Sequence, residues 1–188
     1  MRWAHEHDFD AIVNAAASDY AIEPALILGV IAHESAGTFN PAIVGDDGAS
    51  IGLMQVQPQA AADAGYPVTV EQLKDAETNI YAGTAYLAKQ IDRANGDVNA
   101  GLSAYNGGWR PSLGFGAVLP ATGKFKNQAY VDSVQSKADY FRAQVPPPVT
   151  DTGSVDDGTD QAPPPAHLAL LILTGAGILG LVAWLALR

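Results

Sequence analysis

The stretch Pro24-Ala-Leu-Ile-Leu-Gly-Val-Ile-Ala-His-Glu-Ser35 decides the fold class of this chain. Its apolar side chains recur at steps of three and four residues, and proline suits a first helical turn, so a helix is predicted over residues 24–35. Counting in these steps from Ile27 reaches Glu34, which places a carboxylate on the apolar face. Because loss of water and the C-terminal end of a helix dipole both disfavour negative charge, we expect a raised pKa at Glu34. A general acid needs that property, although position alone also fits a partly buried glutamate paired with a base.

Further helices are predicted on both sides of this one, because apolar side chains keep helical spacing there. Their predicted ranges are 8–20, 79–93, 97–105 and 124–144. The segments between them are rich in glycine, aspartate and proline, which favour turns. We find no convincing strand alternation and expect at most a short β element within residues 43–56. The prediction is a mainly α domain.

Composition excludes several classes of function. The chain has 188 residues, with 20 Asp and Glu against 10 Lys and Arg, and a net charge of −10. We therefore expect no nucleic-acid partner, since binding phosphates needs a basic face. The chain has no cysteine, which rules out disulfides, thiolate ligands and a cysteine nucleophile. His33-Glu34 begins like a zinc-protease helix, but no histidine follows four residues after His33, so we expect neither a metal nor a cofactor.

Charge and hydropathy divide the chain into three parts. Residues 1–145 form the predicted domain, and residues 146–166 form a linker of two triple prolines around an acidic run. A polar, proline-rich segment of this kind favours an extended, disordered spacer. Residues 167–188 make the third part, a predicted transmembrane helix. The N-terminus has no apolar run, so we expect no secretory signal peptide.

The membrane prediction depends on residues 168–187, which are 20 residues without a charged side chain. At about 1.5 Å per residue, such a helix spans the roughly 30 Å of bilayer hydrocarbon. The expectation is a single-pass membrane protein with a C-terminal anchor in the lipid bilayer. Ala176 and Gly180 form a pair of small residues four apart, a weak indication of self-association through this helix.

Four short motifs follow one another along the predicted domain. They are Glu34-Ser35, Gly45-Asp-Asp-Gly-Ala-Ser-Ile-Gly-Leu-Met-Gln-Val56, Ser103-Ala-Tyr-Asn-Gly-Gly108 and Asn127-Gln-Ala-Tyr-Val131. With these motifs in this order, residues 24–134 resemble the lysozyme-like lytic transglycosylases, the soluble lytic transglycosylase type with its goose-type lysozyme relatives. The resemblance implies a lysozyme-like α(+β) fold and a cleft that binds the glycan strand of peptidoglycan.

The resemblance also implies roles for the motif residues. Glu34 would be the catalytic acid that protonates the glycosidic oxygen between N-acetylmuramic acid and N-acetylglucosamine. Core packing is the plainer interpretation of Tyr105 and Tyr130 taken alone, and a turn is the plainer interpretation of Asn106-Gly107-Gly108. Substrate-binding roles are implied for residues of all four motifs: Ser35, Ser50, Gly52, Leu53, Met54, Gln55, Ala104, Tyr105, Asn106 and Tyr130.

The number of carboxylates separates two reactions on this fold. Most glycosidases use two, whereas the family resemblance implies one for a lytic transglycosylase, whose substrate closes its own 6-hydroxyl onto C1 to give a 1,6-anhydro product. Asp46 falls where goose-type lysozymes carry an acid and is the candidate second carboxylate. Gln57 occupies the position of their other acid. We therefore favour the lyase over a hydrolytic muramidase that uses Asp46 as base, and over a non-catalytic tether that binds the cell wall.

The location of the substrate raises a further question, because peptidoglycan lies outside the cytoplasmic membrane. A domain without a signal peptide and with a C-terminal anchor does not reach it by the ordinary secretory route. We favour an internal membrane of a virion, from which the enzyme would meet the wall during genome entry. A membrane of the bacterial envelope is the alternative.

Overall fold

The computed structural model describes Trp3 and residues 5–144. The predicted linker at 146–166 and the predicted membrane helix at 167–188 lie outside these residues. Across residues 5–144, no helix combines the length and the apolar character that crossing a bilayer requires.

Helices dominate the described residues, as the apolar spacing predicted. The elements in chain order are α1 (Asp10–Tyr20), α2 (Pro24–Glu34), β1 (Val44–Gly45), β2 (Ser50–Ile51), α3 (Pro58–Asp63), α4 (Ala76–Arg93), α5 (Val98–Gly107) and α6 (Gln128–Arg142). The mainly α prediction and the short β element within residues 43–56 are confirmed. Helix α3 was not predicted, because six residues are too few to establish a helical period. Helix α6 begins four residues later than expected, after a turn that ends at Asn127.

Helix α2 lies at the centre of the domain. Its side chains are apolar on nearly every face, and Ile27, Val30 and Ile31 have no exposed surface. Gly29 brings α2 against α6, since a Cβ there would lie 2.8 Å from the carbonyl oxygen of Val134. This close approach places the first turn of α6 beside the C-terminal end of α2.

The second motif forms a pair of tight turns on one side of this centre. Strands β1 and β2 pair antiparallel with Val44 opposite Ile51, and Ile51 also bridges Val56. The turn from Ile51 to Val56 packs on α4 at Gly83, where a Cβ would lie 2.6 Å from the sulfur of Met54. Helix α4 therefore supports the turn of the second motif, and this turn faces the C-terminal end of α2.

Candidate active site

A polar cleft of about 540 Å³ opens at the C-terminal end of α2. Residues from all four motifs approach this region, so the tertiary structure assembles what the sequence spreads over a hundred residues. The cleft is lined by Glu34, Asp46, Ser50, Gln55, Val56, Gln57, Ala60, Tyr86, Tyr105, Asn106, Gly107, Gly108 and Arg110.

Glu34 is the last residue of α2 and is a half-buried acid of the cleft. Burial raises the pKa of its carboxyl from the ordinary 4.5 to about 7. The hydroxyl of Tyr130 donates to Oε1 of Glu34 at 2.8 Å, which favours the charged form and lowers the pKa in part. The negative charge of Asp46 acts in the opposite direction. A carboxyl group with this pKa can hold a proton near neutral pH, as a general acid requires.

Tyr130 reaches Glu34 from the first turn of α6. Burial and the charge of Glu34 raise the pKa of Tyr130 well above its ordinary value, so its hydroxyl stays protonated and remains a donor. The ring packs edge-on against His33, with 4.7 Å between the ring centroids. A hydrogen bond of 2.9 Å joins Nδ1 of His33 to the hydroxyl of Ser133. These contacts hold the tyrosine in one orientation.

Tyr105 contributes its ring to the cleft and its hydroxyl to the scaffold. The hydroxyl donates to the carbonyl oxygen of Met54 at 2.8 Å, which ties α5 to the second motif. The neighbouring ring of Tyr86 lies 5.4 Å away between centroids. Two aromatic rings therefore form one wall, a surface suited to the apolar face of a sugar.

Asn127 joins the third and fourth motifs. Its amide nitrogen donates to Oδ1 of Asn106 at 2.9 Å and to the carbonyl oxygen of Ser103 at 3.0 Å. The hydroxyl of Ser103 donates to Oδ1 of Asn127 at 2.7 Å. Asn106 itself is exposed in the cleft. Since Oδ1 accepts from Asn127, the amide nitrogen of Asn106 is the group left to meet a ligand.

Gln55 lines the cleft, but its amide nitrogen binds the chain itself. That nitrogen donates to the carbonyl oxygens of Gly52 at 2.9 Å and of Ile43 at 3.3 Å. The side-chain oxygen lies over Gly45, where a Cβ would come within 2.3 Å of it. Gln55 thus braces the two turns of the second motif, and only its oxygen is left to accept from a ligand.

Asp46 is exposed and lines the same cleft as Glu34. Its backbone is left-handed, with φ of 50°. The hydroxyl of Ser50 donates to Oδ2 of Asp46 at 2.6 Å, and the amide of Gln57 reaches the same hydroxyl at 3.4 Å. The two predicted residues, Asp46 and Ser50, therefore lie together in the cleft wall.

Besides Tyr130, which is buried against Glu34, five residues predicted to bind substrate are buried and do not line the cleft. The hydroxyl of Ser35 accepts from the backbone N–H of Phe39 at 3.1 Å and closes the turn after α2. The side chains at these positions pack in the core, and their roles in binding substrate stay a prediction. The five are Ser35, Gly52, Leu53, Met54 and Ala104.

Asn79 is a residue of the site that sequence reasoning missed. It is 1 % exposed on α4, and its amide nitrogen donates to the carbonyl oxygens of Ile51 at 2.7 Å and Leu73 at 2.9 Å. Its side-chain oxygen accepts from the N–H of Met54 at 2.9 Å. Gly52, with φ of 75°, passes so close that a Cβ there would lie 2.3 Å from the amide nitrogen. Asn79 therefore holds the turn that carries Met54 and Gln55. The one signal for it in the sequence was an asparagine on a predicted helix, because an amide that becomes buried there needs hydrogen-bond partners.

A helix-terminal glutamate of raised pKa, held by a tyrosine over a polar cleft in a mainly helical domain, defines the lysozyme-like class. Residues 11–113 match the family model described as the Transglycosylase SLT domain, and the chain belongs to this family. The resemblance inferred from the four motifs is thereby confirmed.

Individual relatives agree with this assignment. The chain is similar to a transglycosylase of Enterobacteria phage PRD1, with 42 % identity over 96 residues, covering 51 % of this chain and 33 % of that protein. It is also similar to membrane-bound lytic murein transglycosylase C of Sodalis glossinidius, with 36 % identity over 139 residues, covering 66 % of this chain and 36 % of the relative. The chain thus spans about a third of the length of these relatives.

Solved structures share the fold. The 70 kDa soluble lytic transglycosylase of Escherichia coli superposes with a TM-score of 0.62 at 25 % identity, over 76 % of this chain and 25 % of that one. Lytic transglycosylase Slt of Pseudomonas aeruginosa gives a TM-score of 0.58 at the same identity and coverage. The mainly helical, lysozyme-like fold that the motifs predicted is therefore confirmed.

Proposed function

We propose that the protein is a peptidoglycan lytic transglycosylase. It cleaves the β-1,4 bond between N-acetylmuramic acid and N-acetylglucosamine and leaves a 1,6-anhydro end. The observation that carries the proposal is Glu34, a cleft carboxyl whose pKa is raised to about 7 and whose orientation is set by Tyr130. Membership of the Transglycosylase SLT family and the lytic murein transglycosylases among the relatives support it.

Glu34 serves first as the acid and then as the base. In its neutral form it gives its proton to the glycosidic oxygen as the bond to C1 of the muramic acid breaks. The resulting carboxylate takes the proton of the muramic 6-hydroxyl as that oxygen bonds to C1, which restores the acid. Among the described residues, Tyr130 is the hydrogen-bond partner of the carboxyl group, and it engages Oε1. Oε2 is then the oxygen that faces the reacting bond.

The lyase is favoured over a hydrolase by the surroundings of Asp46. A hydrolytic water needs a base, and the second goose-type acid is replaced by Gln57, whose amide cannot accept a proton. Asp46 already accepts the hydroxyl of Ser50 at 2.6 Å. A muramidase that uses Asp46 as base is the second candidate, because that carboxylate is close enough to Glu34 to raise its pKa.

We also propose that residues 168–187 anchor the enzyme in a bilayer and that a virion membrane carries it to the cell wall. The apolar run supports the anchor, and the transglycosylase of a phage among the relatives supports delivery by a virus particle. A bacterial envelope membrane is the alternative, since other relatives are membrane-bound bacterial enzymes. Finding the protein in purified particles, and its release from them by detergent, tests the first location against the second.

The reaction is tested by incubating the protein with purified peptidoglycan and measuring the soluble muropeptides by mass spectrometry. The proposal expects products one water lighter than hydrolytic ones, with 1,6-anhydromuramic ends. Reducing muramic ends would make the enzyme a hydrolase. The Glu34→Gln variant is the control, because it should retain binding and lose turnover. Equal biological activity of this variant and the wild type would favour the non-catalytic tether.

A further inference from the structure

Arg110 stands out among the residues that line the cleft because it is the one cation among them in the described part of the chain. Arg110 is exposed, and the carboxylic acids that share this wall with it are Glu34 and Asp46. The net charge of the whole chain is −10. A fixed positive group in a wall of this kind decides where an anionic part of a ligand can bind.

The guanidinium of Arg110 is held in place by its own loop. Nε donates to the carbonyl oxygen of Gly107 at 2.8 Å, and Nη2 donates to the same oxygen. The guanidinium lies over the ring of Phe115, 4.6 Å from its centroid. Backbone hydrogen bonds of 3.1 Å and 3.2 Å pair Arg110 with Phe115 in both directions. Little side-chain entropy therefore remains to be lost when a ligand binds.

Glycine makes this arrangement possible. A Cβ at Gly107 would lie 1.8 Å from Cδ1 of Phe115, so no other residue lets the ring lie there. Nη1 of Arg110 has no hydrogen-bond partner among residues 5–144, whereas Nε and Nη2 are engaged. The free nitrogen is a donor matched to a carboxylate oxygen.

We propose that Arg110 is a specificity-determining residue that binds a carboxylate attached to a muramic acid unit of the glycan. This inference rests on the proposed function. The sugar rings and N-acetyl groups of the strand are uncharged, so a guanidinium has no charged partner on them. Carboxylates occur only on the lactyl substituent of a strand without peptide and on the peptide stems of an intact one. Both sources offer the same chemistry to the arginine.

Binding measurements on the Glu34→Gln protein test the proposal, because substrate is then not consumed. Three ligands separate the sources: a neutral chitooligosaccharide, glycan strands stripped of peptide, and peptide-bearing strands. Arg110→Gln should weaken binding to at least one of the carboxylate ligands about tenfold, the effect of one charge-assisted hydrogen bond, and leave the chitooligosaccharide unchanged. Arg110→Lys should restore part of the loss.

Lys124→Gln is the matched control, since it removes the same charge from an exposed site outside the cleft. A loss for stripped strands identifies the lactyl carboxylate, and a loss confined to peptide-bearing strands identifies the stem. Unchanged affinity for both, or an equal loss for the neutral ligand, overturns the inference. The proposed reaction is judged separately, by the products of the wild type. If the wild type releases anhydromuropeptides, the reaction stands although the inference about Arg110 fails. If it releases none, the proposed reaction itself is wrong.

Discussion

Replacing Glu34 with glutamine should stabilise the fold at neutral and alkaline pH while it abolishes turnover. The pKa of this carboxyl is about 7 in the folded protein against an ordinary 4.5, so folded molecules hold the proton more tightly than unfolded ones. Stability is therefore lost as the pH rises from 4.5 to 7, and the loss is complete above 7. At 1.36 kcal/mol per pH unit, a rise of this size corresponds to about 3 kcal/mol. Glutamine is neutral, has nearly the same volume, and still accepts from Tyr130 through Oε1.

Thermal unfolding of the two proteins between pH 4 and pH 8.5 measures this effect. For a domain of this size, 1 kcal/mol changes the melting temperature by roughly 3–4 °C, so the variant should melt about 10 °C higher at pH 8.5. At pH 4 the two should melt together, because both side chains are then uncharged. Glu71→Gln is the matched control, since Glu71 is exposed and does not line the cleft, and its substitution should give no comparable dependence on pH.

A difference in melting temperature that stays constant over this pH range would refute the reasoning. So would the absence of any difference at pH 8.5. Either result would mean that burial does not disfavour the charged form of Glu34. The assignment of this residue as an acid that is protonated near neutral pH would then lose its physical basis.

Four other substitutions test the site and its support. Tyr130→Phe removes a hydrogen bond to the charged form of Glu34, so the pKa of the acid rises and the alkaline limb of the pH–rate profile moves to higher pH. Asp46→Asn removes a neighbouring negative charge, so that limb should move to lower pH while anhydro products persist. A fall in rate of about a thousandfold or more with Asp46→Asn would instead indicate the hydrolytic base. Asn79→Ala leaves the N–H of Met54 and the carbonyl oxygen of Leu73 without partners, and should lower the free energy of unfolding by about 3 kcal/mol, measured by urea titration. Gln90 is fully buried and neither atom of its amide has a hydrogen-bond partner among the described residues, so Gln90→Leu should raise the free energy of unfolding by about 1–2 kcal/mol and leave kcat unchanged.

Local signals in the sequence were sufficient for the five longer helices and for naming the candidate acid. The apolar spacing of residues 24–35 predicted both the central helix and the partial burial of Glu34, because a helix repeats its faces every three to four residues. Helix α3 escaped prediction since it is shorter than two turns. The same spacing could not tell which motif residues would face the cleft. Met54 and Ala104 belong to motifs that border it, yet both are buried.

Long-range contacts decided the rest of the site. Tyr130 meets Glu34 across 96 residues of chain, and Asn79 meets Met54 across 25. Both contacts depend on glycines. Gly29 lets helices α2 and α6 approach closely, and Gly52 lets the backbone of the second motif pass beside the amide of Asn79. Periodicity and turn chemistry are properties of neighbouring residues, so they determined the helical class, the order of the motifs and the candidate acid. The hydrogen-bond partners, the residues in the cleft wall and the fixed position of Arg110 follow from packing between distant segments, which only the tertiary structure decides.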